Sequence, residues 1–125
     1  MQIIPNILNF KLLYNTGAAF SSFNNQTVVL TIISFLFSVF IIKYTLQKLN
    51  TSNYTQIFCF SFLLAGALGN LIDRILFSKV IDFIDLLILP GNFPIFNMAD
   101  VWINLAVFLF VLDWLRFKRF GQSQS

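Results

Sequence analysis

Val80-Ile-Asp-Phe-Ile-Asp-Leu-Leu-Ile-Leu-Pro-Gly-Asn-Phe-Pro-Ile-Phe-Asn-Met-Ala-Asp100 places three carboxylates, Asp82, Asp85 and Asp100, in a sequence otherwise dominated by Ile, Leu and Phe. Lys79, Asp82 and Asp85, then Pro90-Gly-Asn92 and Pro94, interrupt Ile75 to Phe96 too often for a membrane span. It reads as strand, turn and return outside the hydrocarbon. From Asn97 to Phe117 the pattern changes to a helix about 30 Å long at 1.5 Å per residue. Asp100 lies near one end of that helix, and Asp113, Arg116, Lys118 and Arg119 lie near the other.

Working outward, two more apolar runs precede this stretch. Thr27 to Ile42 is uncharged, and with Tyr44 to Leu46 it reaches the roughly 20 residues that cross a bilayer. Lys43 and Lys48 close it, and Asn50-Thr-Ser-Asn53 forms a small polar turn. The second run extends from Leu49 to Ile72, with its apolar body from Ile57 onward. Ala65, Gly66 and Gly69 at its far end allow another helix to pack tightly. Composition agrees: of 125 residues, 58% are hydrophobic and 10% charged, with mean hydropathy +0.80. A soluble domain carries about a quarter charged residues. The expected class is a mainly α, polytopic membrane protein with three spans near 27–46, 56–73 and 97–117, forming one embedded domain over residues 1–125.

The net charge of +3 then reads as topology and contact with membrane lipids, with no nucleic-acid partner. The single cysteine, Cys59, lies in an apolar run, and the chain has no histidine to activate it. The missing histidines also remove a Ser-His-Asp triad and leave few zinc ligands, so no metal and no cofactor is expected. Ser78 and Lys79 are adjacent, and neighbouring side chains point apart in either regular structure, which argues against a Ser-Lys nucleophile.

Met1 to Pro5 lacks the cationic and apolar regions of a secretory signal. From Leu8 to Asn15, Leu8, Phe10, Leu12 and Tyr14 alternate with Asn9, Lys11, Leu13 and Asn15, the period of a half-buried strand. The strand runs into Asn15-Thr-Gly-Ala-Ala-Phe20, where Gly17 supplies a turn, for an outer-face strand region of about 7–20. Ser21 to Gln26 reads as a polar loop, and the tail from Gly121 to Ser125 as disordered. Lys43, Lys48, Arg116, Lys118 and Arg119 fall on one side because two spans separate them, and charge bias makes that side cytoplasmic. The early strand and the 75–96 loop then share the outer face with Asp82, Asp100, Asn15 and Asn70 to Arg74.

Asn97, Asp100 and Asn104 are spaced three and four apart along one helical face. Asn70, Asp73 and Arg74 occupy one turn at the outer end of the second span. The bland reading makes these interfacial residues that cap helices, with Asn97 capping the third helix and Asp100 in its first turn. For Asp82 the bland reading is a solvated loop carboxylate paired with Lys79. If the segment is a strand, Asp82 and Asp85 face opposite ways, so only one can point at Asp100. Two carboxylates forced together in a poorly solvated site share one proton, which suits them to hydrolysing a peptide bond by general acid and base. Glycosidases also pair carboxylates, but a pair at a bilayer surface better suits a substrate that arrives in the membrane.

Asn15-Thr-Gly-Ala-Ala-Phe20, Gly66-Ala-Leu-Gly-Asn-Leu-Ile-Asp-Arg74, Val80-Ile-Asp-Phe83 and Phe96-Asn-Met-Ala-Asp100 together resemble, in order and spacing, the motif set of lipoprotein signal peptidase, or signal peptidase II. The resemblance implies an aspartic endopeptidase of the bacterial cytoplasmic (inner) membrane, monomeric, with its active site near the outer face. Its substrates would be lipid-modified prolipoproteins, cut just before a cysteine carrying diacylglycerol. The resemblance makes Asp82 and Asp100 the catalytic pair, leaves Asp85 a bystander, and assigns Asn15, Gly17, Asn70, Asp73, Arg74 and Asn97 to substrate binding and support. Asp73 would be a structural partner of Arg74, and the strand and outer loop would form a β-cradle around the signal peptide. The family has four spans; the first, ahead of the Asn-Thr-Gly-Ala-Ala motif, has no counterpart in this sequence. The competing reading is a non-catalytic membrane protein: a small transporter or channel subunit, or an inactive relative that binds signal peptides.

Overall fold

The structure, a computed structural model, describes residues 1–17, 26–89, 91 and 93–121. The expectations for Ala18 to Phe20, the polar loop up to residue 25, Pro90, Asn92 and the tail after Gly121 lie outside the described residues. In chain order come β1 (Gln2–Ile4), β2 (Leu8–Asn15), α1 (Thr27–Lys48), α2 (Tyr54–Phe77), β3 (Val80–Leu86) and α3 (Met98–Gly121). All three helices are long and apolar enough to cross a membrane. Most of their large apolar side chains are exposed, Ile32, Phe35, Leu36, Val107 and Phe108 among them. Such surfaces suit lipid as the surrounding solvent.

The bundle is built around α2, which packs on α1 along one flank and on α3 along the other. On the α3 side, a Cβ added to Gly66 would lie 2.5 Å from the Ala99 carbonyl oxygen, so only glycine admits this approach. Its core is thin: Leu30, Ile41, Cys59, Ala67, Leu71 and Ala106 are buried with Phe60, whose ring meets exposed Tyr44 edge-on at 5.4 Å and exposed Phe110 at 5.5 Å. α1 takes in Lys43, as expected, and continues to Lys48, two residues past the expected end at 46. A long cationic side chain can stay helical and carry its charge to the interface.

α2 also runs past the expected boundary near residue 73, taking Ile75 to Phe77 from the outer loop. Its stop is Ser78, which adopts a left-handed conformation (φ 56°) and donates its N–H to the Arg74 carbonyl at 3.0 Å. That cap turns the chain directly into β3. The sheet is antiparallel in the order β1-β2-β3. β2 occupies the alternating stretch, and pairs Asn15 with Val80 and Leu13 with Asp82. β1 was not apparent in the sequence; three residues are too few to show a period, and its turn into β2 uses Asn6 at φ 57°. Beyond β3 the chain returns as an isolated bridge between Ile84 and Phe96. With both Phe83 and Ile84 donating to the Phe96 carbonyl, Asn97 is delivered beside Asp82 just as α3 begins.

Candidate active site

Four elements send one polar side chain each to a common point. Asn15 comes from the end of β2, Asn70 from α2, Asp82 from β3 and Asp100 from the first turn of α3. Asn97, in the link before α3, ties them together. Its Nδ2 donates to Asp82 Oδ1 at 2.9 Å and to Asn70 Oδ1 at 3.0 Å. Its Oδ1 accepts the Asp100 N–H at 3.1 Å, and its own N–H donates to Asp100 Oδ2 at 3.1 Å. The last two bonds form a reciprocal N-terminal box. Asn70 Nδ2 closes the ring by donating to Asp100 Oδ1 at 3.2 Å.

Backbone amides fix how these side-chain amides are turned. A backbone N–H can only donate, so the Asn97 atom facing the Asp100 N–H is the oxygen, and the nitrogen must face Asp82. The same holds for Asn15: Gly17 N–H donates to Asn15 Oδ1 at 2.9 Å, leaving Nδ2 to donate to Asp82 Oδ2 at 3.1 Å. Both carboxylates are therefore met by donors, and both lead into Asn97. The bland capping role for Asn97 and Asp100 is real but incomplete, because Asn97 also donates to Asp82 and Asp100 also accepts from Asn70.

Asp82 is only 2% exposed and Asn97 only 5%. Burial pushes the Asp82 carboxyl above the usual carboxylate range, and the Asp100 charge pushes the same way, against the Asn15 and Asn97 donors and the positive charge of Arg74. A solvated Asp82 paired with Lys79 does not occur. The Lys79 ammonium instead sits 3.7 Å from the centre of the Tyr14 ring.

The turn Asn70 to Arg74 addresses three elements at once. Asn70 serves α3, while Arg74 Nη1 donates to Ser34 Oγ on α1 at 3.3 Å and to the Asn70 carbonyl at 3.4 Å. Asp73 reaches the sheet: its Oδ2 accepts the Ile81 N–H at 3.0 Å, next to Asp82. Its hydrogen-bond partner is thus the β3 backbone and not Arg74. Asp85 pairs in register with Asn9 and does not line the cavity described below. Cys59 is buried in α2, roughly 16 Å along the helix from Asn70 at 1.5 Å per residue. Sequence reasoning missed Ser34. The signal was present, since Ser34 and Ser38 lie four apart on an otherwise apolar helix.

The two acids open on a cavity of about 850 Å³. Asn15, Asn70 and Arg74 line its polar end, and Phe37, Leu105, Phe108 and the returning segment 93–96 supply apolar walls. Among the described residues, no cluster of three or more His, Cys, Asp or Glu could hold a metal ion.

The model of the signal peptidase (SPase) II family matches residues 1–116. The chain belongs to the signal peptidase II family. It is 42% identical over 113 residues to a lipoprotein signal peptidase of Parasynechococcus marenigrum, covering 90% of this chain and 69% of the relative. It is 41% identical over 119 residues to one from Coxiella burnetii, covering 92% and 72%. A bacterial membrane enzyme solved by the in meso method at 2.3 Å superposes with a TM-score of 0.86 at 35% identity, covering 94% of this chain and 71% of that one. Signal peptidase II membership and the three apolar helices make this a multi-pass membrane protein of a peptidase family. All four motif segments quoted above fall inside the matched residues.

Proposed function

We propose that this chain removes the signal peptides of prolipoproteins by aspartate-dyad hydrolysis, cutting before a diacylglyceryl-modified cysteine. One observation carries the mechanism: Asp82 and Asp100 are joined through a single asparagine at the polar end of an apolar-walled cavity. Buried Asp82, with its raised pKa, holds the shared proton. Asp100, in the first turn of α3, sits where helix N–H dipoles favour negative charge. Asp100 takes a proton from water as its oxygen attacks the peptide carbonyl carbon, and Asp82 gives its proton to the carbonyl oxygen. When the carbon–nitrogen bond breaks, Asp100 passes its proton to the leaving amine. Asp82 recovers one from the hydroxyl that becomes the new carboxyl. Asn15, Asn70 and Asn97 hold the acids in place, Gly17 orients Asn15, Asp73 pins β3, and Arg74 adds positive charge beside them.

The apolar walls suit a signal peptide that arrives within the bilayer. Family membership supports placement in the bacterial cytoplasmic membrane, and charge bias supports a site toward the outer face, since Lys48 and Arg116 to Arg119 lie at the other end of the bundle. The protein acts as a monomer among membrane lipids. Incubating the purified chain in detergent with a diacylglyceryl-modified prolipoprotein tests the proposal. Cleavage is expected from the wild type and from Asp85→Asn, and none from Asp82→Asn or Asp100→Asn. Normal cleavage by either dyad variant would refute the assignment, and loss in Asp85→Asn alone would mean that the wrong acid was chosen.

A further inference from the structure

At the end of the bundle opposite the two acids, the three helices leave a second cavity of about 250 Å³. Tyr44, Phe60 and Phe110 lie beneath it, their rings meeting in sequence at 5.4 and 5.5 Å, but the surface open to the cavity is mostly polar. Phe40, 59% exposed on α1, stacks on Tyr44 at 6.1 Å and carries this apolar track down the outside of the helix. The rim is polar: Lys48 from the last turn of α1, Ser52 from the following turn and Gln56 from the first turn of α2.

The electrostatics at this end are one-sided. The sequence brings Lys43, Lys48, Arg116, Lys118 and Arg119 here against a single carboxylate, Asp113. Asp113 accepts from Gln56 Nε2 at 3.3 Å and does not itself line the cavity, whose charged lining residue is Lys48. Tyr54 and Trp114 are both exposed at this level. Such aromatics mark the depth where headgroups begin.

We infer that this cavity binds the headgroup of an anionic phospholipid, with the phosphodiester on Lys48 and Ser52 and the acyl chains leaving along exposed Phe40 on the outside of α1. A bare anion would use the lysine and the serine but not the apolar track that Phe40 continues outside the cavity. A zwitterionic lipid would bring its own cation to a rim that is already basic. Basic pockets between spanning helices on the positively charged side are suited to such headgroups. The inference does not depend on the catalytic assignment, since no residue of the dyad takes part.

Native mass spectrometry of the full chain, released from micelles containing equal amounts of phosphatidylglycerol and phosphatidylcholine of matched chain length, tests it. Preferential retention of one phosphatidylglycerol is expected. Lys48→Gln should weaken that retention roughly fivefold, the share of one basic residue at a lipid surface. Lys48→Arg and Lys43→Gln should keep it, and circular dichroism checks that each variant is folded. No preference between the lipids, or an equal loss in Lys43→Gln, would overturn the inference. Displacement of the lipid by inorganic phosphate at low millimolar concentration would show a small-anion site and overturn the lipid assignment.

Discussion

Asn97 turns its whole side-chain amide and its N–H to the two acids and to Asn70, while its carbonyl accepts the Val101 N–H, and on the proposed mechanism this makes it the most sensitive position after the two acids. In Asn97→Ala, Asp82 keeps Asn15 as a donor but loses its second, and Asp100 loses the side chain that caps its N–H. Losing one preorganised donor at a reacting centre lowers kcat by about 10²–10³. Leaving buried groups unpaired costs a further 1–3 kcal/mol or so in stability. Single-turnover cleavage and thermal melting measure the two separately; wild-type kcat with lowered Tm would reduce Asn97 to a helix cap. Asp82 carries a pH signature as well. Its folded pKa lies above the unfolded value of about 3.9, so the folded state holds this proton more tightly than the unfolded one. The stability it contributes is full below the unfolded value and is lost as pH rises through the folded pKa. Wild type should therefore lose Tm relative to Asp82→Asn as pH increases, and parallel curves would contradict a proton held at Asp82. The alternating strand and the acids could be read from residue types alone. The orientation of the amides could not, because Asn15 and Asn97 are set by the backbone N–H each one meets, and Asn70 by Asn97 in turn.

Between elements, the decisive contact is the crossing of α2 and α3, since Asn70 and Asp100 meet only if those helices approach closely. Gly66 permits it, and Gly69 contributes less: a Cβ there would lie 3.2 Å from the Ala99 side chain, against 2.5 Å from backbone oxygen at Gly66. Gly66→Ala should force the helices apart, costing about 1–3 kcal/mol, the usual penalty of overpacking. It should also lower cleavage, because the shift stretches the Asn70–Asp100 bond. Gly69→Ala needs only a few tenths of an ångström from a methyl group and should retain most activity. Equal effects in melting and cleavage would place the close contact elsewhere. The cluster Ala65, Gly66 and Gly69 announced tight packing in the sequence, but not its partner, because small residues carry no signal about what they face. The far end of α2, expected near residue 73, was misplaced for a related reason. Charge at Asp73 and Arg74 resembled a membrane boundary, whereas both side chains turn inward to β3 and α1, so the helix continues to its cap at Ser78.

At the scale of the molecule, the three spans were legible because uncharged runs of bilayer length have few other solutions. The arrangement of the sheet was not, since a three-residue strand and a single bridge at Phe96 leave no period to read. If all three helices cross, parity relates their ends: an even number of crossings separates the α1–α2 turn from the end of α3, so these share one side, and β2, β3 and both acids share the other. The orientation proposed above, with the first side cytoplasmic, rests on charge bias. Single cysteines in a Cys59→Ser background report this directly. Leu12→Cys, on β2 at an exposed position, should react with a membrane-impermeant maleimide added to intact cells, whereas Gln47→Cys near the end of α1 should react only after permeabilisation. Both sites lie outside the dyad and its supports, so cleavage should persist in each variant and certify that the labelled protein is folded. Labelling of Gln47→Cys in intact cells would invert the bundle. The acids would then face the cytoplasm, where a substrate being exported could not leave its signal peptide behind at the outer surface.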